Sequence, residues 1–152
     1  MEHVIGVDIG TQSTKALLVS KDGRIVAQAS HSYQVDQPKP MWAEQWPDVW
    51  MDAVKHTIKG VLAKANVQAS DIKALCVSSL YGGSGIPVDQ QIKPLYPCLI
   101  WMDRRADKEV QFVRESLDLE QLQTITGNGV DSYHGFTKML WLKHNCPDIW
   151  NK

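Results

Sequence analysis

Between Val4 and Lys15 the chain reads Val-Ile-Gly-Val-Asp-Ile-Gly-Thr-Gln-Ser-Thr-Lys. A short β-branched run ends in Asp8 and passes into a turn of Gly10, Thr11, Gln12 and Ser13, with Lys15 just beyond. These residue types at this spacing suit a phosphate site built without a helix. Glycine lets the backbone approach an oxyanion, consecutive amide N–H groups form an anion-binding concavity, and hydroxyls and one ammonium complete the donor set. Asp8 is then the carboxylate for Mg²⁺, a hard cation that takes one or two carboxylates plus waters. Ordinary turn chemistry between two strands accounts for the same letters, and both readings stand on spacing alone. Neither a Gly-x4-Gly-Lys-Ser/Thr loop nor a Gly-x-Gly-x-x-Gly helix opening is present.

Two later stretches also carry chemistry. Ser79-Leu80-Tyr81-Gly82-Gly83-Ser84-Gly85 is a glycine-rich loop following an apolar strand, at the carboxyl end where open α/β sheets bind ligands; a flexible turn is the plainer alternative. Trp101-Met102-Asp103-Arg104-Arg105 sets a flat apolar ring beside a carboxylate and a guanidinium, which is how polyols are held. The same residues also read as a helix start, with Asp103 capping 104–116.

The elements that position these groups follow from periodicity. Residues 14–20 and 24–33 read as second and third strands, joined at Lys21-Asp22-Gly23-Arg24. The Asp-Gly pair there predicts a two-residue type I′ hairpin, with positive φ at both central residues. The stretch 38–45 holds two prolines and reads as loop. Pro47 opens a helix whose Trp50, Ala53, Val54, Ile58, Val61, Leu62 and Ala65 share one apolar face; Gly60 within it marks close packing on the sheet. Residues 72–78 form a fourth strand, reached through a helix as in a parallel crossover. Residues 95–101 are extended, and 117–126 and 136–145 are further helices.

The chain has 152 residues, 43% apolar and 22% charged, enough for one buried core in a soluble globular protein. A formal charge of -1 with scattered basic residues argues against nucleic acid and anionic membranes as partners. Without a signal-like leader or a membrane-length apolar run, a cytoplasmic location is expected. Three unpaired cysteines and five histidines without ligand spacing fit reduced thiols and no metal cluster.

Four separated stretches agree on one family: Gly6-Val7-Asp8-Ile9-Gly10-Thr11; Pro38 to Gln45; Pro94 to Pro97 with Trp101 to Arg105; and Ile125-Thr126-Gly127 to Gly135-Phe136-Thr137-Lys138. In their order and spacing the chain resembles the N-terminal part of the FGGY carbohydrate kinases, most of all xylulokinase and related ketose kinases. The resemblance implies an α/β, ribonuclease-H-like fold of the actin, Hsp70 and sugar-kinase group: a mixed sheet with three antiparallel strands and one parallel strand, plus packed helices, truncated. It implies transfer of the ATP γ-phosphoryl group to a sugar hydroxyl with Mg²⁺ as cofactor. Asp8 becomes the metal-side carboxylate, Gly10, Thr11, Gln12, Ser13 and Thr14 the phosphate hairpin, and Lys15 the basic residue near the transferred group. Leu80, Tyr81, Trp101, Asp103 and Tyr133 fall where relatives contact sugar.

Xylulokinases often carry Met-His-Gly where this chain has Leu80-Tyr81-Gly82, so a histidine contact is missing. Family members are roughly three times this size in two domains, as the limit on a single core requires. Residues 1–152 are accordingly expected to be the N-terminal part of the first kinase domain. The catalytic base and a C-terminal kinase domain lie downstream, the sugar is the small-molecule partner, and a homo-oligomer is possible through cleft-facing aromatics. The alternatives are a noncatalytic carbohydrate- or protein-binding module with the same fold, and an actin-like or chaperone-type nucleotide switch.

Overall fold

Alternation along the first strand, β1 (His3–Ile9), places His3, Ile5 and Val7 inward and Val4, Gly6 and Asp8 outward. The second strand, β2 (Ser13–Ser20), runs antiparallel to it, and β3 (Ile25–Ser32) runs antiparallel to β2. A computed structural model describes residues 2–79 and 82–152 of the chain, which fall into two compact units. The first unit comprises residues 2–35 and 48–79 and holds these strands; the second comprises 36–47 and 82–152.

In the first unit the helix α1 (Pro47–Ala65) begins with the expected proline and buries Ala53, Thr57 and Val61. A single 3-10 turn at Ala69–Asp71 leads into β5 (Ile72–Ser78), which pairs parallel with β1. The sheet order is β3-β2-β1-β5, so three antiparallel strands and one parallel strand are present as expected. Ile5, Val7, Ala16, Leu18 and Val61 form the core, flanked by Ala29, Val54, Ile58 and Ile72. A Cβ at Gly60 would lie 3.0 Å from the Ala29 Cβ, which is why α1 tolerates a glycine that weakens it: the helix backbone lies directly on β3. β5 is an edge strand, exposed from Lys73 to Ser78.

The β2–β3 connection departs from the expected type I′ turn. Only Gly23, at φ 83°, takes the left-handed region, while Asp22 does not. Ser20 N donates to Arg24 O at 2.9 Å and Gly23 N to Ser20 O at 2.9 Å, so a three-residue loop closes the hairpin, with a register shift at Leu18/Val19. The Asp22 carboxylate accepts from Ser20 Oγ at 2.5 Å and Arg24 Nε at 2.6 Å, contacts that suit a right-handed Asp22.

In the second unit two short strands, β4 (Glu44–Gln45) and β6 (Cys98–Leu99), pair antiparallel. The expected extended segment 95–101 therefore narrows to two ladder residues, and the proline loop 38–45 ends in a strand that periodicity does not show. Helices α2 (Asp107–Ser116), α3 (Leu119–Thr126), α4 (Gly135–Asn145) and α5 (Pro147–Trp150) follow. Asp103 does not cap α2, which starts after Ala106 without a side-chain cap. Asp118 caps α3 by accepting from Glu120 N and Gln121 N, and Gly127 ends it at φ 69°. Leu99, Ala106, Trp141 and Leu142 make the core, with Trp42, Tyr96 and Cys146 against it. Among the described residues no helix is long and apolar enough to cross a membrane.

Candidate functional site

The turn after β1 closes when Gly10 N donates to Ser13 O at 2.9 Å. A Cβ at Gly10 would sit 3.0 Å from that carbonyl, so the glycine is required by close approach. Asp8 pairs in register with Lys15, which places both side chains on one face of β1 and β2, the face away from α1, and both are exposed. Gln12 is exposed, and Thr11 and Ser13 are half-buried at the turn.

Thr14 faces the other way. It is 0% exposed, and its hydroxyl shares a hydrogen bond of 3.1 Å with the Tyr33 hydroxyl. Tyr33 in turn donates from Oη to Gly10 O at 2.6 Å and from its backbone N to Gln12 O at 3.0 Å. One tyrosine thus braces the turn at three points. Burial pushes its phenol pKa up, the Thr14 bond offsets part of this, and the nearby Asp8 charge adds to the rise. Tyr33 carries no sequence signal beyond lying one residue past β3, opposite the turn.

This donor set fits Mg²⁺ in one way. Asp8 is an exposed carboxylate at a strand end. Among the described residues no group of three or more His, Cys, Asp or Glu could hold a metal. One carboxylate with waters and phosphate oxygens is a coordination that Mg²⁺ takes.

In the second unit, Trp101 and Tyr133 come together with ring centroids 6.4 Å apart at 62°. Trp101 is 37% exposed and Tyr133 half-buried. The Arg104 guanidinium lies 6.0 Å from the Tyr133 ring and donates from Nη1 to Asp131 Oδ1 at 2.5 Å. Tyr133 N donates to the same oxygen at 2.6 Å, and chiefly this bond holds the Asp131 carboxyl below its ordinary range, with Arg104 assisting against burial.

Asp103 occupies a different setting from the exposed rim expected of it. It is 0% exposed. Its Oδ2 accepts from Ala43 N at 2.7 Å, its Oδ1 from Arg105 N at 3.0 Å, and Arg105 Nη2 lies 2.7 Å from Oδ2. Arg105 continues to Glu44 at 2.6 Å and lies 3.6 Å from the Trp42 ring centroid and 5.0 Å from that of Trp141. The carboxylate is therefore the centre of a buried knot that ties residues 43 and 44 to 103–105, reached across 60 residues of sequence. Arg105 lies in the 101–105 stretch and Trp42 and Glu44 in the 38–45 stretch, but spacing alone does not bring the two together. Leu80 and Tyr81, the remaining sugar-side candidates, lie outside the described residues.

Residues 3–152 match the FGGY family of carbohydrate kinases, N-terminal domain. The xylulose kinase of Lactococcus lactis is 33% identical over 157 residues, covering 100% of this chain and 30% of the relative. The crystal structure of xylulose kinase from Rhodospirillum rubrum superposes with a TM-score of 0.90 at 31% identity, over 99% of this chain and 30% of that one. That of gluconate kinase from Lactobacillus acidophilus gives 0.90 at 28%, over 99% and 30%. The chain thus spans about 30% of the length of the relatives it matches. The mixed sheet is the ribonuclease-H-like architecture of the actin, Hsp70 and sugar-kinase group. With a match over 3–152 and this sheet, the chain belongs to the FGGY family of carbohydrate kinases.

Proposed function

We propose that this chain is the N-terminal part of an ATP-dependent ketose kinase, with phosphate-binding residues in its first unit and sugar-binding residues in its second. The observation that carries the reading is the turn at Gly10, where Asp8 and Lys15 stand side by side on an open face. Asp8 would hold Mg²⁺ through its carboxylate, the Thr11, Gln12 and Ser13 segment would receive phosphate oxygens, and Lys15 would offer a cation to the transferred group. Mg²⁺ would supply charge neutralisation on the phosphates. Thr14 contributes by holding Tyr33, and through it the turn, in place.

The sugar side is the Trp101 and Tyr133 pair, an apolar platform with a phenol at its edge; Leu80 and Tyr81, outside the described residues, are its further candidates. Asp103 acts on it as a positioning residue, because its oxygens already hold Ala43 and Arg105. A neutral ketose such as xylulose fits this platform, and the similarity to kinases named for xylulose supports it. The catalytic base and the adenosine site belong to the further length that the relatives possess.

A coupled ADP-release assay tests the reading, using the kinase polypeptide that carries this chain and a panel of xylulose, other ketoses, glycerol and gluconate. Xylulose is expected to be the preferred acceptor, and Asp8→Ala to lower kcat about 100-fold or more, the scale of removing one preorganised charge partner. Residues 1–152 alone are expected to show no turnover, since positioning between two domains is most of this catalysis. Turnover by residues 1–152 that depends on Asp8, or a panel won by gluconate, overturns the assignment.

A further inference from the structure

Lys138, in the first turn of α4, heads the fully buried side chains of the described residues by volume, at 0% exposure. Its ammonium contacts two carbonyls: Nζ donates to Gly82 O at 2.7 Å and to Tyr133 O at 2.9 Å. It also lies 5.9 Å from the Tyr133 ring centroid. A buried ammonium is costly when it meets carbonyl oxygens in place of a carboxylate. Burial accordingly lowers its pKa to about 8, with the charges of Asp103, Cys98 and Asp131 opposing that fall and Arg104 adding to it. An apolar side chain of equal length would fill the same space without this penalty, so the charge must be assigned a purpose.

The surrounding backbone supplies one. A Cβ at Gly82 would meet Tyr133 Cζ at 3.0 Å, and one at Gly135 would meet Gly83 O at 2.4 Å. The segments around 82–83 and 133–135 touch, Gly82 against the Tyr133 ring and Gly135 against the Gly83 carbonyl. A Cβ at Gly83 would lie 2.9 Å from Cys98 Sγ, and Ser84 is bonded both ways to Leu99 at 3.0 Å. Two glycine-bearing segments therefore meet closely, at Gly83 and Gly135 backbone to backbone. Lys138 joins them through one atom.

We propose that Lys138 is a positioning residue for the sugar side of the site: its ammonium staples the loop carrying Gly82 to Tyr133 and sets their spacing. Gly82 follows the sugar-side candidate Tyr81 directly in the sequence, and the staple holds Gly82 to Tyr133. The assignment rests on the sugar-side reading given under Proposed function. It goes beyond that reading by giving a role to a residue that touches no substrate.

The test replaces Lys138 by methionine, which keeps the stem and removes the ammonium. The first readout is independent of any sugar: the rate at which dithiobis(nitrobenzoate) modifies Cys98 in a Cys76→Ala, Cys146→Ala background of this chain. Cys98 is 6% exposed beneath Gly83, so its protection reports on the loop. Lys138→Met is expected to raise that rate at least about tenfold with far-UV circular dichroism unchanged, the rate following the population of open loop. The second readout is kinetic, in the kinase polypeptide: KM for xylulose rises while KM for ATP holds. A merely structural loss would reduce the active fraction and lower kcat with both KM values unchanged.

Should Lys138→Met unfold, Lys138→Gln, which retains an N–H donor, takes its place with the same readouts. A Cys98 rate within about twofold of the parent, or an unchanged KM for xylulose beside a lower kcat, overturns the proposal. Parent enzyme that phosphorylates no sugar in the panel defeats the functional reading instead, and the Cys98 rate still decides whether Lys138 staples the loops.

Discussion

The Gly10 turn and the Asp103 knot use carboxylates in opposite ways. Asp8 stands exposed, paired in register with an exposed lysine, and the turn beside it is shaped by backbone bonds and one tyrosine. Asp103 is enclosed, with Arg105 and Ala43 on its oxygens and two tryptophan rings beside the guanidinium. The first leaves its charge available to a ligand, while the second uses its charge to hold chain segments together. Both carry the residue types of a binding site, so identity and spacing alone do not separate a carboxylate that meets substrate from one that builds the wall behind it. Burial and partner count separate them.

The largest effect that tests this contrast is Asp103→Ala. It leaves Arg105 buried with Glu44 as its remaining acidic partner among the described residues and strips Ala43 N of its acceptor; Arg105 Nη1 already lacks a partner among the described residues. Breaking such a pair costs about 3 to 5 kcal/mol. Urea unfolding followed by tryptophan emission, which reads Trp42 and Trp141 beside Arg105, should show a loss of that size, and Asp103→Asn a smaller one. A loss below about 1 kcal/mol would return Asp103 to the substrate surface.

The strand and helix plan was legible because it rests on local periodicity. Alternation in β1, the three- and four-residue spacing of α1 and the helical crossover into β5 each restrict the topology, and Gly60 correctly marked the contact with β3. The knot was not legible, because Ala43 and Asp103 meet across 60 residues and nothing in Pro-Met-Trp-Ala-Glu announces a strand that pairs with β6. Tyr33 was hidden for a related reason: a tyrosine just past a strand reads as ordinary β composition until the register brings it under the turn. The Asp-Gly hairpin was placed correctly and shaped wrongly, since Asp22 keeps negative φ and gains two side-chain bonds by doing so.

A smaller effect tests the exposed half of the contrast. Tyr33→Phe removes the hydroxyl that meets Thr14 Oγ1 and Gly10 O, leaving a fully buried threonine hydroxyl without this partner, which costs about 1 to 3 kcal/mol. The pH dependence has a definite sign. The folded phenol pKa is raised above the ordinary 10.0, so its contribution is complete below about pH 10 and is lost as pH rises through the folded value. Urea midpoints of the parent measured from pH 8 to 11 should therefore decline at the alkaline end more steeply than those of Tyr33→Phe. Parallel profiles would mean that the brace contributes nothing to the turn.

The smallest expected change is the stability of Asp8→Ala. Asp8 is exposed on the open face of the sheet, and its in-register partner on β2, Lys15, is exposed as well. Exposed charge pairs of this kind contribute little because water screens them and two side chains must be ordered to form them. The substitution should move the unfolding free energy by no more than about 0.5 kcal/mol, within the range of surface changes away from caps and cores. Set beside the loss for Asp103→Ala, a near-neutral Asp8→Ala places the first carboxylate outside the framework that holds the fold. If Asp8→Ala instead destabilised the chain as much as Asp103→Ala does, Asp8 would be a structural carboxylate too, and the division between a ligand-facing charge and a wall-building charge would fail at its clearest example.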